Sequence, residues 1–140
     1  MLRLPEQTYL AMIGHALDGY PLEACGLFAG ERDRVDVFYP CANAAASAKV
    51  YEIEGRDFLR FDRASEAAGI ELVGVMHSHT HTDAYPSPTD VAQAPDPAWH
   101  YVIVSLREAE PVLRSYRIID GVISEEPVVV ERRPAGTIPD

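Results

Sequence analysis

Residues 75–90 read VMHSHTHTDAYPSPTD, and the fold and its chemistry both turn on this stretch. His77, His79 and His81 place three of the chain's 5 histidines within a five-residue window. The run leading into them, 71–77 (ELVGVMH), is mostly apolar and of strand length, as expected of a strand covered on both faces. Side chains alternate along a strand, so His77 and His79 project from one face. Two imidazoles on one face at a strand's end can grip one small cation. Zinc accepts this mix of nitrogen and oxygen donors, and a catalytic zinc uses three protein ligands and keeps one position open.

The third ligand must come from a segment folded back over the strand end. Ser87-Pro88-Thr89-Asp90 reads as a helix start, with Ser87 as N-cap, Pro88 in the first turn and Asp90 third. Asp90 is the candidate ligand, although Ser87 and Asp90 as a simple cap is an equally ordinary reading of the same four residues. A hydrolytic metal site also needs a base for the attacking water. Glu23, in Pro21-Leu22-Glu23-Ala24-Cys25-Gly26, is the candidate, with a solvated loop acid as the alternative.

Outward from this centre, residues 6–18 carry helical spacing (Tyr9, Met12, Ile13, Ala16), with Gly19 as a stop. Residues 24–30 and 34–39 read as strands joined by the turn Glu31–Asp33, and 50–53 as a short strand. Residues 55–68 read as a second helix closed by Gly69. Residues 78–98 should be mostly loop, with a short helix after Ser87. Strands are expected at 100–106, 112–119 and 122–131, the last two joined by the hairpin signal Asp120-Gly121. Helices alternating with strands early and hairpins late predict an α/β domain with a mixed sheet. One domain is expected over 1–131, with a loose tail at 132–140.

The bulk numbers exclude several classes. The chain has 140 residues and a formal net charge of −10, which argues against binding to nucleic-acid phosphates. No apolar run approaches the ~18 residues of a membrane span, and the N-terminus lacks a signal-peptide core. A cytoplasmic protein with no membrane partner is expected. Cys25 and Cys41 are too few for a disulfide scaffold and lack Cys-x-x-Cys spacing, so they read as reduced, inert thiols. His81 reads as a solvent-facing or supporting residue, His15 as structural at a helix end, and His100 as packed or substrate-facing. Tyr85 and Pro86 are candidates for a substrate wall.

The pattern His77-Ser78-His79, seven residues, Ser87, two residues, Asp90 resembles the JAMM (MPN+) zinc metallopeptidase motif in full. The stretch around Glu23 resembles that family's upstream glutamate signature. AYPSPTD, HYVIVS and LRSYRIIDG are similar to the small actinobacterial Mec group within the family, and the resemblance spans roughly residues 5–131. It implies a JAMM/MPN, cytidine-deaminase-like fold with a mixed β-sheet packed between helices. It implies one Zn2+ on His77, His79 and Asp90, Glu23 as general acid/base, and Ser87 stabilising the oxyanion.

The implied substrate is a ubiquitin-like sulfur-carrier protein, cut after its C-terminal glycine to release cysteine. Trimming of extra residues to expose Gly-Gly is the alternative with the same chemistry. A non-catalytic interaction module of the same fold is disfavoured because every motif position is filled. A nucleobase deaminase is disfavoured by the missing Cys-x-x-Cys, and a metal phosphoesterase by the few histidines outside the cluster. Oligomeric state stays open, a homo-oligomer included.

Overall fold

The computed structural model describes residues 1–132, so the tail expected at 132–140 lies, from 133 on, outside the described residues. The apolar run singled out above is strand β4, Glu71–His79, in which every residue from Leu72 to His79 is buried. It pairs with β5 (His100–Ser105) in parallel and with β2 (Cys25–Glu31) antiparallel. Beyond β2 lie β3 (Arg34–Cys41), β1 (Leu2–Pro5) and β8 (Val128–Glu131); beyond β5 lie β6 (Val112–Ile119) and β7 (Val122–Glu126). The sheet runs β7-β6-β5-β4-β2-β3-β1-β8, mixed in direction.

Helix α1 (Glu6–Gly19) covers one face, with Met12 and Ala16 packed among Leu4, Phe28, Met76 and Val102. Helix α2 (Gly55–Ala67) covers the other, where Phe61 joins the cluster of Leu27, Leu72, Val75 and Ile103. The expected α/β architecture, a mixed sheet between helices, is the observed one. Leu72 and Val75 share a face although three residues apart. The register of β2 on β4 shifts between Phe28 and Ala29, a bulge that resets the alternation. Gly74 sits at that irregularity, where a side chain would collide with the Phe28 ring and the His100 carbonyl. The turn Asp120-Gly121 has positive φ at both residues (51° and 78°), the geometry a two-residue hairpin demands.

Three expectations need correction. The strand expected at 122–131 is two strands separated by Pro127, which has no N–H for a ladder. β7 and β8 therefore lie at opposite edges of the sheet although one residue joins them, and the sheet curls until its edges approach. The N–H of Leu2 donates to the Pro127 carbonyl at 2.8 Å across that closure. Strand β1 has no counterpart in the sequence reading, because four residues offer too little periodicity. The strand expected at 50–53 reduces to a single bridge between Asn43 and Ile53.

Candidate metal centre

β4 ends at His79, and α3 (Pro88–Ala92) folds back over that end. Ser87 caps α3: its Oγ accepts from the Asp90 N–H at 3.1 Å, and Asp90 Oδ2 accepts from the Ser87 N–H at 2.9 Å. The same Asp90 oxygen lies 3.1 Å from His77 Nε2 and 3.1 Å from His79 Nε2. The two Nε2 atoms are 3.1 Å apart. The capping and ligand readings of Asp90 are thus compatible, because the cap aims the carboxylate at the histidines.

The donor set fits a metal ion. Three ligands of a tetrahedral zinc at ~2.0–2.1 Å stand about 3.3 Å from one another, close to the 3.1 Å edges of this triangle. His79 Nδ1 donates to the Asp83 carbonyl at 2.8 Å, which turns the Nε2 lone pair toward the triangle. Burial pushes the His77 imidazole toward its neutral, ligating form, only partly offset by Asp90. For Asp90, burial opposes ionisation, but bonds from His77 and His79 win and hold the carboxyl well below the usual range. Burial also works against charge on His79, yet Asp90 and the Asp83 carbonyl raise its pKa.

Glu23 stands beside this triangle. β2 pairs Cys25 with His77, and extending that register two residues brings Glu23 opposite His79. Glu23 is 5% exposed, and its Oε1 is buried without a hydrogen-bond partner among the described residues. Burial lifts its carboxyl to about 7, with His79 opposing and Asp90 adding to the rise. A loop acid in water would show neither feature. Ser87 is half-buried at the rim, and its hydroxyl hydrogen is free to donate while its oxygen caps the helix.

Three residues that sequence reasoning passed over organise the centre. Ser78 points away from the histidines, and its Oγ accepts the Ala24 N–H at 2.8 Å, fixing the segment next to Glu23. Asn43 donates to the Glu23 carbonyl at 3.0 Å. The Tyr51 ring stacks on His77 with centroids 4.3 Å apart, and also lines an apolar cavity of about 520 Å³ with Leu27, Val50, Phe58, Val75 and Trp99. Strand alternation between two histidines gave a signal for Ser78; nothing in the sequence pointed to Asn43 or Tyr51.

The remaining candidates fall outside the centre. His81 is exposed beside Tyr20. His15 Nε2 contacts the Cys25 and Cys41 carbonyls at 2.8 and 3.2 Å. His100 is buried against Glu126. Both cysteines are buried and unpaired, and burial pushes their thiols up to about 12 for Cys25 and about 11 for Cys41. Inert thiols are the physical outcome. Tyr85 is exposed and packs edge-on against Tyr116, while Pro86 is buried. No helix among the described residues is long and apolar enough to cross a membrane.

Residues 5–119 match the family described as prokaryotic homologs of the JAB domain. The chain belongs to the JAB family. This JAB-family chain is 47% identical over 126 residues to the CysO-cysteine peptidase of Mycobacterium tuberculosis, covering 87% of the chain and 86% of that protein. It is 36% identical over 102 residues to the desampylase of Haloferax volcanii, covering 68% of the chain and 73% of the relative. Among solved structures, a protein from Desulfitobacterium hafniense superposes with a TM-score of 0.87 at 32% identity, covering 96% of both chains. A JAB1/MPN domain protein from Archaeoglobus fulgidus shares the fold at a TM-score of 0.58 and 18% identity, covering 92% of this chain and 99% of that one. The JAB-family chain is a peptidase, and its His77–His79–Asp90 cluster is compatible with a metal ion.

Proposed function

We propose that this JAB-family peptidase uses zinc to hydrolyse the amide bond after the C-terminal glycine of a ubiquitin-like sulfur-carrier protein, releasing cysteine. The triangle of His77 Nε2, His79 Nε2 and Asp90 Oδ2, 3.1 Å on each edge, carries the reading. The substrate is supported by the likeness to a CysO-cysteine peptidase over most of both chains. His77, His79 and Asp90 would hold the ion. When bound, zinc supplies Lewis-acid polarisation of the scissile carbonyl and activation of water near neutral pH.

The chain's own residues do the rest. Glu23, with its carboxyl near 7, is poised to take a proton from water and pass it to the leaving amine. Its unpartnered Oε1 is the atom that holds the proton in transit. Ser87 donates its hydroxyl hydrogen to the carbonyl oxygen as negative charge develops there. Asp90 is kept anionic by the histidines and by the Ser87 N–H, so the cap and the site share one carboxylate.

The test is intact mass spectrometry of a purified sulfur carrier bearing a C-terminal cysteine after incubation with the zinc-loaded enzyme. The expected result is loss of one cysteine residue, blocked by a chelator. Glu23→Gln should keep the metal and lower kcat by about a hundredfold or more. Undiminished turnover by Glu23→Gln would remove Glu23 from the role of base. Loss of several residues instead of one would reassign the reaction to C-terminal trimming.

A further inference from the structure

Asn43 stands at the middle of a loop that touches both halves of the centre. Its side-chain oxygen accepts the N–H groups of Ala45 and Glu52, each at 3.0 Å. Its amide donates to the carbonyls of Glu23 at 3.0 Å, Val50 at 2.9 Å and Ser47 at 3.4 Å. One side chain thereby holds Glu23 on one side and the two neighbours of Tyr51 on the other. The Glu23 N–H donates to the Ser47 carbonyl at 2.8 Å, and Thr80 Oγ1 to the Ala48 carbonyl at 3.2 Å, so the loop is pinned again to the residue that follows β4.

The consequence falls on His77. His79 is oriented by a hydrogen bond from Nδ1 to the Asp83 carbonyl. His77 Nδ1 is buried with no partner among the described residues. A ligating histidine ordinarily donates its second N–H to fix the ring. Here the His77 ring is held by faces and edges instead. Tyr51 lies nearly parallel to it, 18° between planes, and His79 meets it edge-on at 5.0 Å. A stack fixes the ring plane as firmly as its own backbone is fixed, and Tyr51 lies outside every helix and strand. Its backbone is set by the bonds that Asn43 makes to residues 50 and 52.

We propose that Asn43 and Tyr51 are positioning residues of the metal centre. Asn43 sets the 43–53 loop so that Tyr51 orients the ligand His77 and the Glu23 backbone is held beside it. This rests on the reading of His77, His79 and Asp90 as metal ligands, and the experiment separates the two. Metal affinity of the apo-protein is measured against a chromophoric chelator for the parent chain, Asn43→Asp, Tyr51→Phe and Tyr51→Leu, with melting temperature and kcat and KM recorded in parallel. Asn43→Asp keeps the shape and the acceptor but turns the amide's contacts with the Glu23, Val50 and Ser47 carbonyls into carboxylate–carbonyl repulsions. Tyr51→Phe keeps the stack and Tyr51→Leu removes it.

The expected result is parental affinity for Tyr51→Phe and a tenfold to hundredfold weaker metal for Tyr51→Leu and Asn43→Asp. Asn43→Asp should also lower kcat at least tenfold with KM within about threefold, at temperatures where it is fully folded. A merely structural Asn43 would lower the melting temperature and leave affinity and kcat of the folded protein unchanged, which would overturn the proposal. If Asn43→Asp does not fold, Tyr51→Leu decides: metal affinity equal to the parent's overturns the proposal, and a weakened site with parental affinity in Tyr51→Phe supports it. A parent chain that binds no metal would instead defeat the ligand reading itself.

Discussion

Charge at the centre is divided unevenly between two histidines that share one carboxylate. Burial drives His77 toward neutrality, while His79, favoured by Asp90 and the Asp83 carbonyl, keeps its proton to higher pH than usual. A cation entering the triangle must displace that proton, because a ligating imidazole offers a lone pair. The sign follows: as pH falls through the raised pKa of His79, the proton competes better and metal binds more weakly. Affinity should drop about tenfold per pH unit for each proton displaced. Calorimetric titration of zinc into apo-protein, in buffers of different ionisation enthalpy, should show net proton release that grows toward lower pH. Affinity that stays constant between pH 5 and 8 would contradict a shared His79–Asp90 ligand pair. Spacing pointed to His77, His79 and Asp90 as candidate ligands, with a simple cap as the other reading of Asp90, since strand alternation and an N-cap pattern are local rules. The unequal titration was not legible, because it depends on burial by Tyr51 and on the carbonyl of Asp83, neither of which the local pattern encodes.

At the scale of elements, the site is the meeting of three ends: the end of β4, the start of β2 and the start of α3. The sequence made β4 and α3 readable through an apolar run and a capping box. It also marked Gly69 and Asp120-Gly121 as stops and turns, and both take positive φ. What it left unreadable was pairing between distant segments. The short β1 and the parting of β7 and β8 to opposite edges follow from where strands find partners, and the 43–53 loop from a side chain acting as a hub. Ser78 shows how pairing matters to function. It is fully buried between His77 and His79, and its Oγ accepts the Ala24 N–H. Ser78→Ala would leave that N–H buried and unpaired, at a cost of about 1–3 kcal/mol. Because Ala24 adjoins Glu23, the variant should melt lower and also lose kcat more than it changes KM. Denaturation curves and steady-state kinetics on a carrier conjugate check both; a stability loss with parental kcat would confine Ser78 to the fold.

The whole molecule is closed at the end opposite the candidate metal centre, where the two sheet edges meet. Glu126, the last residue of β7, is buried there and gathers three partners. His100 Nδ1 and the Ser115 hydroxyl each lie 2.7 Å from its Oε2, and the Met1 ammonium donates to its Oε1 at 3.0 Å. One carboxylate thus links β5, β6, β7 and the residue preceding β1. Burial opposes its ionisation, but His100, Ser115 and the ammonium prevail and lower its pKa to about 2. A carboxyl depressed on folding stabilises the native state above its unfolded value, near 4.5, and that stabilisation fades as pH falls toward 2. Allowing for the partly exposed ammonium, the contribution is roughly 2 kcal/mol at neutral pH. Glu126→Gln keeps the shape and removes the charge, so it should melt about 5–10 °C lower at pH 7. The gap between variant and parent should narrow steadily below about pH 4.5, where the parent's carboxylate begins to lose its advantage. Thermal melts at pH 7, 5, 4 and 3 decide the matter. A gap that is constant across that range would show that the closure depends on packing around Pro127 and not on the charge of Glu126. The candidate metal centre lies at the other end of β4, so zinc affinity measured on the folded variant should equal the parent's. The two ends of the sheet share strands β4 and β5 but, among the described residues, no hydrogen-bonded side chain.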